Sequence, residues 1–276
     1  MIGTGISVNS ITAKRRHPLA RFAVVALALG ILGGGYALTT PTGGTADAAV
    51  ASGRADDVSE GRNLFVAHCA SCHGWNAEGT AKAPTLVGVG AAAVDFQVSS
   101  GRMPAADAGA QVPRKPLAPW VTPATTAQLA AYIQSLGGGP TVPSKEQVNP
   151  AMGDAAKGGE LFRANCIQCH NFVGAGGALT YGKYAPSLNE ATDAQIYEAM
   201  VTGPQAMPVF NDATITPDEK RDMIAYITGV RSQVDPGGSG LGRIGPVTEG
   251  LVGWIVGLSL LILAAIWITA KKRQTS

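Results

Sequence analysis

Cys69, Cys72 and His73 form a Cys-x-x-Cys-His run, and Cys166, Cys169 and His170 repeat it 97 residues later. In each run two thiols can form thioethers to a haem while the adjoining histidine ligates the iron, which is the c-type attachment pattern. The chain therefore reads as holding two covalently attached haem c groups through Cys69, Cys72, Cys166 and Cys169, with His73 and His170 on the irons. The chemistry this permits is single-electron transfer. All four cysteines are used by the two motifs, so none is left for a structural disulfide.

The second axial position decides what each haem can do. Met103 and Met207 stand in Gly- or Pro-containing loops after the motifs, each followed by proline. A thioether there would close the coordination sphere and raise the potential; the plain alternative is a core-filling methionine. Met200 and Met223 sit in apolar helical patterns and read as core, while Met152 precedes its motif and has no counterpart. His68 reads as a surface or supporting residue because Asn165 occupies the matching place. Pro84 and Pro186 have two readings. One has a neighbouring carbonyl accepting the ring N–H of His73 or His170; the other is a proline that merely shapes a loop. Leu64, Phe65, Leu161 and Phe162 are core or haem-contact residues.

Other chemistries use fewer of these residues. A zinc site could take the four cysteines, giving a zinc-stabilised binding module, but it leaves both histidines and both Met-Pro loops without a role. Two dithiol redox sites find no support in the Ala-Ser and Ile-Gln interiors of the motifs. A two-haem peroxidase needs an open iron and acid–base groups above it, and no catalytic constellation is visible.

The elements that must position these groups also come in duplicate. Leu64-Phe65 and Leu161-Phe162 each lie on a short amphipathic helix ending at the cysteines. Each lobe closes with a second helix, from Thr122-Pro123 through Tyr132 and from Thr216-Pro217 through Tyr226; the threonines read as N-caps, and Gly137 and Gly229 as stops. Pro84-x-Leu86 with Met103-Pro104, and Pro186-x-Leu188 with Met207-Pro208, complete the repeat of one small helical unit. Met103 lies 29 residues before Tyr132 but Met207 only 19 before Tyr226. The extra ten, in Ala-, Gly- and Pro-rich sequence up to Pro119, are either a docking element for a partner or a plain surface insertion.

Composition bounds the architecture. With 36 Gly, 17 Pro and 14% charged residues, small lobes with irregular loops fit better than one large α/β core. At the N-terminus Lys14, Arg15, Arg16 and Arg21 precede an apolar run from Phe22 to Leu38, a signal peptide or a signal anchor, with Ala46-Asp47-Ala48 as a small-x-small cleavage tripeptide. Leu251 to Ala270 is free of charge and is followed by Lys271, Lys272 and Arg273, as expected of a membrane helix with a cytoplasmic tail. Between the two basic clusters lie 14 basic and 19 acidic side chains, a formal balance of about −5, which argues against nucleic acid as a partner.

The expected organisation is all-α: a basic segment, signal or anchor helix and linker over 1–50, class I-like cytochrome c domains over 51–137 and 151–232, linkers over 138–150 and 233–250, a transmembrane helix over 251–270 and a tail over 271–276. Both domains would lie on the extracytoplasmic face of the cell membrane.

Longer stretches are more specific than the five-residue motifs. Leu64-Phe65-Val66-Ala67-His68-Cys69-Ala70-Ser71-Cys72-His73, Val89 to Val98 leading into Gly101-Arg102-Met103-Pro104, Gln111-Val112-Pro113-Arg114-Lys115-Pro116, and Met200 to Phe210 resemble the dihaem cytochrome c subunit of the actinobacterial cytochrome bcc complex, a menaquinol–cytochrome c oxidoreductase. The resemblance runs over essentially the whole chain. It implies ligand pairs His73 with Met103 and His170 with Met207, and a redox subunit without independent catalytic activity. The implied partners are a cytochrome b subunit, a Rieske iron–sulfur subunit and an aa3-type oxidase with its copper subunit. Within electron transfer, the alternative is a membrane-anchored dihaem cytochrome serving another dehydrogenase or oxidase.

Overall fold

The computed structural model describes residues 22–31, 46–106, 109, 111–234, 240, 243 and 246–273. The chain divides into residues 1–53 and residues 54–276. In the first unit, α1 (Phe22–Ile31) is a ten-residue apolar helix. The N-terminal basic cluster and the rest of the apolar run to Leu38 lie outside the described residues, as does most of the second linker.

The haem motif of lobe one follows α2 (Ala46–His68) and occupies the single turn α3 (Ala70–His73); α4 (Ala91–Ser99) and α5 (Pro123–Ser135) complete the lobe. Lobe two repeats the order with α6 (Ala155–Asn165), α7 (Ile167–His170), α8 (Asp193–Thr202) and α9 (Pro217–Ser232). The fold is helical as expected, apart from a two-residue antiparallel pair, β1 (Gly177–Ala178) and β2 (Tyr184–Ala185), in the loop after the second motif.

Each lobe is built on a close crossing of its first and last long helices. A Cβ on Gly61 would stand 2.0 Å from the Gln128 carbonyl oxygen, and one on Gly158 would stand 1.9 Å from that of Asp222. Only glycine lets the backbones approach this far. Beside the crossing, Phe65 tilts against Tyr132 at 5.3 Å and Phe162 against Tyr226 at 5.4 Å. Gly158 rather than Gly159 is therefore the counterpart of Gly61, and both lie eight residues before the first cysteine of their motif.

The closing helices start as their sequences dictate. Thr122 and Thr216 cap α5 and α9 in reciprocal boxes with Thr125 and Glu219, and proline takes the first helical position. Gly229 does not stop α9, contrary to expectation: the helix runs on to Ser232. Ile224, Ile227 and Val230 are all buried along its inner face. Burying a valine stabilises by roughly 1.5–3 kcal/mol, more than the roughly 1 kcal/mol that glycine costs inside a helix.

The two lobes pack through α4 and α8, which hold equivalent places in the repeat. Gln195 Nε2 donates to Ser99 Oγ (3.0 Å) across this contact. Glu198 is fully buried there. Burial, then the neighbouring Asp95 carboxylate, push Glu198 up to about 9.

Finally, α10 (Pro246–Arg273) contains the stretch Thr248–Ala270, with mean hydropathy 2.5. Among the described residues it is the helix long and apolar enough to cross a membrane.

Candidate functional site

The motif geometry is the same in both lobes. Cys69 N–H closes the end of α2 on Phe65 O (2.8 Å), and Cys72 and His73 N–H both donate to Cys69 O (3.1 and 3.0 Å). In lobe two, Cys166 donates to Phe162 O (2.8 Å), and Cys169 and His170 donate to Cys166 O (3.2 and 2.9 Å). This single turn sets both cysteines and the histidine side by side, as neighbours three and four apart on a helix must be. It ends at a residue with positive φ, Gly74 at 84° in lobe one and Asn171 at 63° in lobe two, and the chain then folds back under the histidine.

Each histidine ring is held by the proline of its loop. His73 Nδ1 donates to Pro84 O (2.8 Å) and His170 Nδ1 to Pro186 O (3.1 Å). The acceptor is in each case the proline's own carbonyl. The bond assigns the ring proton to Nδ1 and leaves the Nε2 lone pair for a metal. Burial holds His170 below the usual imidazole range against the opposing pull of Pro186 O.

The cysteines have the wrong electrostatics for dithiol chemistry. Burial, aided by the neighbouring thiol, pushes Cys69 up to about 11 and Cys166 up to about 12, whereas a redox-active thiol needs a depressed value. Nor do the motifs converge: the two cysteine pairs belong to separate lobes, and no group of three His, Cys, Asp or Glu side chains able to hold a metal occurs among the described residues. The zinc alternative loses its ligand set.

Phe65 and Phe162 are buried, and Leu64 and Leu161 are half-buried against the same two clusters. Met103 packs on the core of lobe one and Met207 on that of lobe two. In lobe two a cavity of about 520 Å³ brings Met207 together with Cys166, Cys169, His170 and Pro186 around one space. Free thiols, an imidazole bonded through Nδ1 and a thioether around one apolar cleft of this size fit a c-type haem. Met200 and Met223 are buried core residues, as expected, whose side chains also reach this cavity.

The segment after Met207 is pinned from below. The fully buried Lys220 ammonium donates to Asp212 Oδ1 (2.7 Å) and to Ile215 O (2.5 Å). Nothing in the sequence pattern marks this lysine, because its helix reads as amphipathic with Lys220 on a polar stretch.

Residues of the extra loop of lobe one are bound to lobe two. Gln111 exchanges two hydrogen bonds with the backbone of Tyr184, Gln205 Nε2 donates to Val112 O (3.1 Å), and Arg114 donates to Glu190 O (2.9 Å). Arg102, Gln111 and Arg114 thereby become part of the wall of the lobe-two cavity. Sequence reasoning placed the loop correctly in the chain but had no signal for what it touches. On the other side of lobe one, His68 stacks on Trp120 with ring centroids 4.1 Å apart, consistent with a supporting role.

Known proteins give the same division. A family model described as cytochrome c matches residues 58–137, and one described as cytochrome C oxidase, cbb3-type, subunit III matches residues 153–227. A protein of Corynebacterium diphtheriae named cytochrome bc1 complex cytochrome c subunit is 41% identical over 96% of this chain and 99% of its own length. One of the same name from Mycobacterium tuberculosis is 43% identical over 97% of both chains. A cytochrome c6 of Gloeothece citriformis is 38% identical over 29% of this chain and 76% of its own.

Proposed function

This chain belongs to the family of cytochrome c subunits of the cytochrome bc1 complex, and we propose that within such a complex it relays electrons from a Rieske iron–sulfur protein through two haems to an aa3-type terminal oxidase. It consists of two cytochrome c domains with two covalently bound c-type haems. Haem supplies the one-electron chemistry; the polypeptide supplies attachment, orientation and exclusion of water. In this reading Cys69 and Cys72 hold one haem and Cys166 and Cys169 the other, with His73 and Met103, and His170 and Met207, as axial ligands. Pro84 and Pro186 fix the ring orientation of the histidines.

The observation that carries the relay is the clasp between lobes: Arg102, Gln111, Val112, Pro113 and Arg114 of lobe one line the cleft of lobe two. A relay needs two centres held near each other, and a contact that joins the two lobes supports that reading. The likeness of lobe two to an oxidase subunit supports placing it toward the oxidase and lobe one toward the Rieske protein. Anchored by Thr248–Ala270, the lobes would face the extracytoplasmic side with Lys271, Lys272 and Arg273 inside. Tethering replaces diffusion of a soluble carrier with a high local concentration beside both partners.

Purification of the tagged full chain from its native membrane in mild detergent tests this reading. Co-purification of a cytochrome b subunit, a Rieske protein and a copper-containing oxidase is expected, with quinol reducing both haems in sequence. Recovery with a different dehydrogenase, or quinol-independent reduction of both haems, would overturn it.

A further inference from the structure

Lobe two does not build its own cleft alone. Its wall includes Arg102, Gln111 and Arg114 from lobe one as well as Cys166, Cys169 and His170. Two of these three are cations in a part of the chain whose overall balance is acidic. The Arg102 guanidinium lies over the Phe96 ring, 4.9 Å from its centroid, and among the described residues it has no carboxylate within ion-pair distance. Arg114 is tied to Glu190 through the backbone oxygen at 2.9 Å and through an exposed carboxylate at a looser 3.6 Å. Two guanidiniums on the wall of one apolar cleft favour an anion of two charges bound there.

We propose that lobe one completes the haem site of lobe two, with Arg102 and Arg114 binding the two propionate carboxylates of the second haem across the lobe interface. The inference rests on the reading of Cys166, Cys169 and His170 as the second haem site. Its physical consequence is selective. Cations beside the propionates favour the reduced iron, so loss of either arginine lowers the potential of the second haem; loss of Arg114, which does not adjoin Met103, does so without moving the first.

The test is a spectroelectrochemical titration of the full-length dihaem protein, comparing wild type with Arg102→Gln and Arg114→Gln. Lys82→Gln, which removes an exposed charge of lobe one, serves as the control. One of the two redox components should fall by about 59 mV, a tenfold shift in its one-electron equilibrium, while Lys82→Gln moves neither. A chain with Cys166→Ala and Cys169→Ala retains only the first haem, and Arg114→Gln should leave its potential unchanged. Equal movement of both components, movement of neither, or a shift in the chain holding only the first haem would overturn the proposal. If Cys166→Ala with Cys169→Ala leaves two haems by intact mass, the underlying site reading fails instead.

Discussion

Gln111 pairs with the backbone of Tyr184 as a strand neighbour would: its Nε2 donates to Tyr184 O (2.6 Å) while Tyr184 N–H donates to its Oε1 (3.0 Å). One amide side chain thus satisfies both polar groups of a residue at the mouth of the other lobe's cleft. Tyr184 belongs to the small β1–β2 pair, so the bond joins the loop of lobe one to the only strand structure among the described residues.

Gln111→Ala should therefore loosen the lobes without unfolding either one. Two hydrogen bonds of about 1 kcal/mol each are lost, part of which water restores because the site is near the surface. The expected result is faster hydrogen exchange at the Tyr184 amide with little change at amides of α6 and α9. Unchanged exchange at Tyr184 would mean that the contact does not hold the lobes.

At the helix crossings the constraint is steric. Gly61→Ala and Gly158→Ala each force a methyl group onto a backbone carbonyl oxygen that cannot turn aside. Such overpacking should destabilise the affected lobe by about 1–3 kcal/mol, read as a lower denaturant midpoint. Gly159→Ala meets only the edges of the Tyr226 and Arg163 side chains, at 3.0 Å and beyond, and should cost less. Equal effects at 158 and 159 would contradict the assigned register of the repeat.

How legible the molecule was depends on whether an interaction is local in the chain. The motif turns, the Thr-Pro starts of α5 and α9, and the order of elements in each lobe follow from residues a few positions apart, so pattern and capping chemistry reveal them. The bracing carbonyl of Pro84 lies 11 residues from His73 and that of Pro186 16 residues from His170; only the repetition of the proline pointed there. Contacts made across the lobes were not legible. Arg102 and Gln111 meet residues some 70 to 100 positions away, and a Gly- and Pro-rich loop carries no periodicity that names its partner. Gly229 misled because the burial of Val230, one residue on, outweighs the local stop signal.

Stability should fall as pH rises above the acid range, on account of Glu198. Its folded value is raised, from 4.5 to about 9, so the folded state holds a proton that the unfolded state releases. The favourable contribution is complete below about 4.5 and is lost progressively as pH climbs through about 9. Asp95, also raised by burial, adds in the same direction. Thermal unfolding of wild type and Glu198→Gln between pH 5 and 9 checks this: the wild-type midpoint should decline across the window and the variant's should decline less. Parallel curves would show that the buried acid is ionised in the folded protein.

Lys220 supports the segment that follows Met207, and its removal should reach the iron through that segment. Its ammonium is fully buried and holds Asp212 and the carbonyl of Ile215, so Lys220→Met keeps the apolar stem while releasing both acceptors. Asp212 is largely exposed and regains water; the Ile215 carbonyl does not, and an unpartnered buried acceptor costs about 1–3 kcal/mol. A merely structural lysine would lower stability and leave the haem spectrum alone. If it positions Met207, the ferric sulfur-to-iron charge-transfer band of one haem should weaken at temperatures where the far-ultraviolet dichroism is still native. The band of the other haem should persist, because both acceptors of this lysine lie in lobe two. Loss of both bands together, or of neither before the helices melt, would remove Lys220 from any role in setting the methionine.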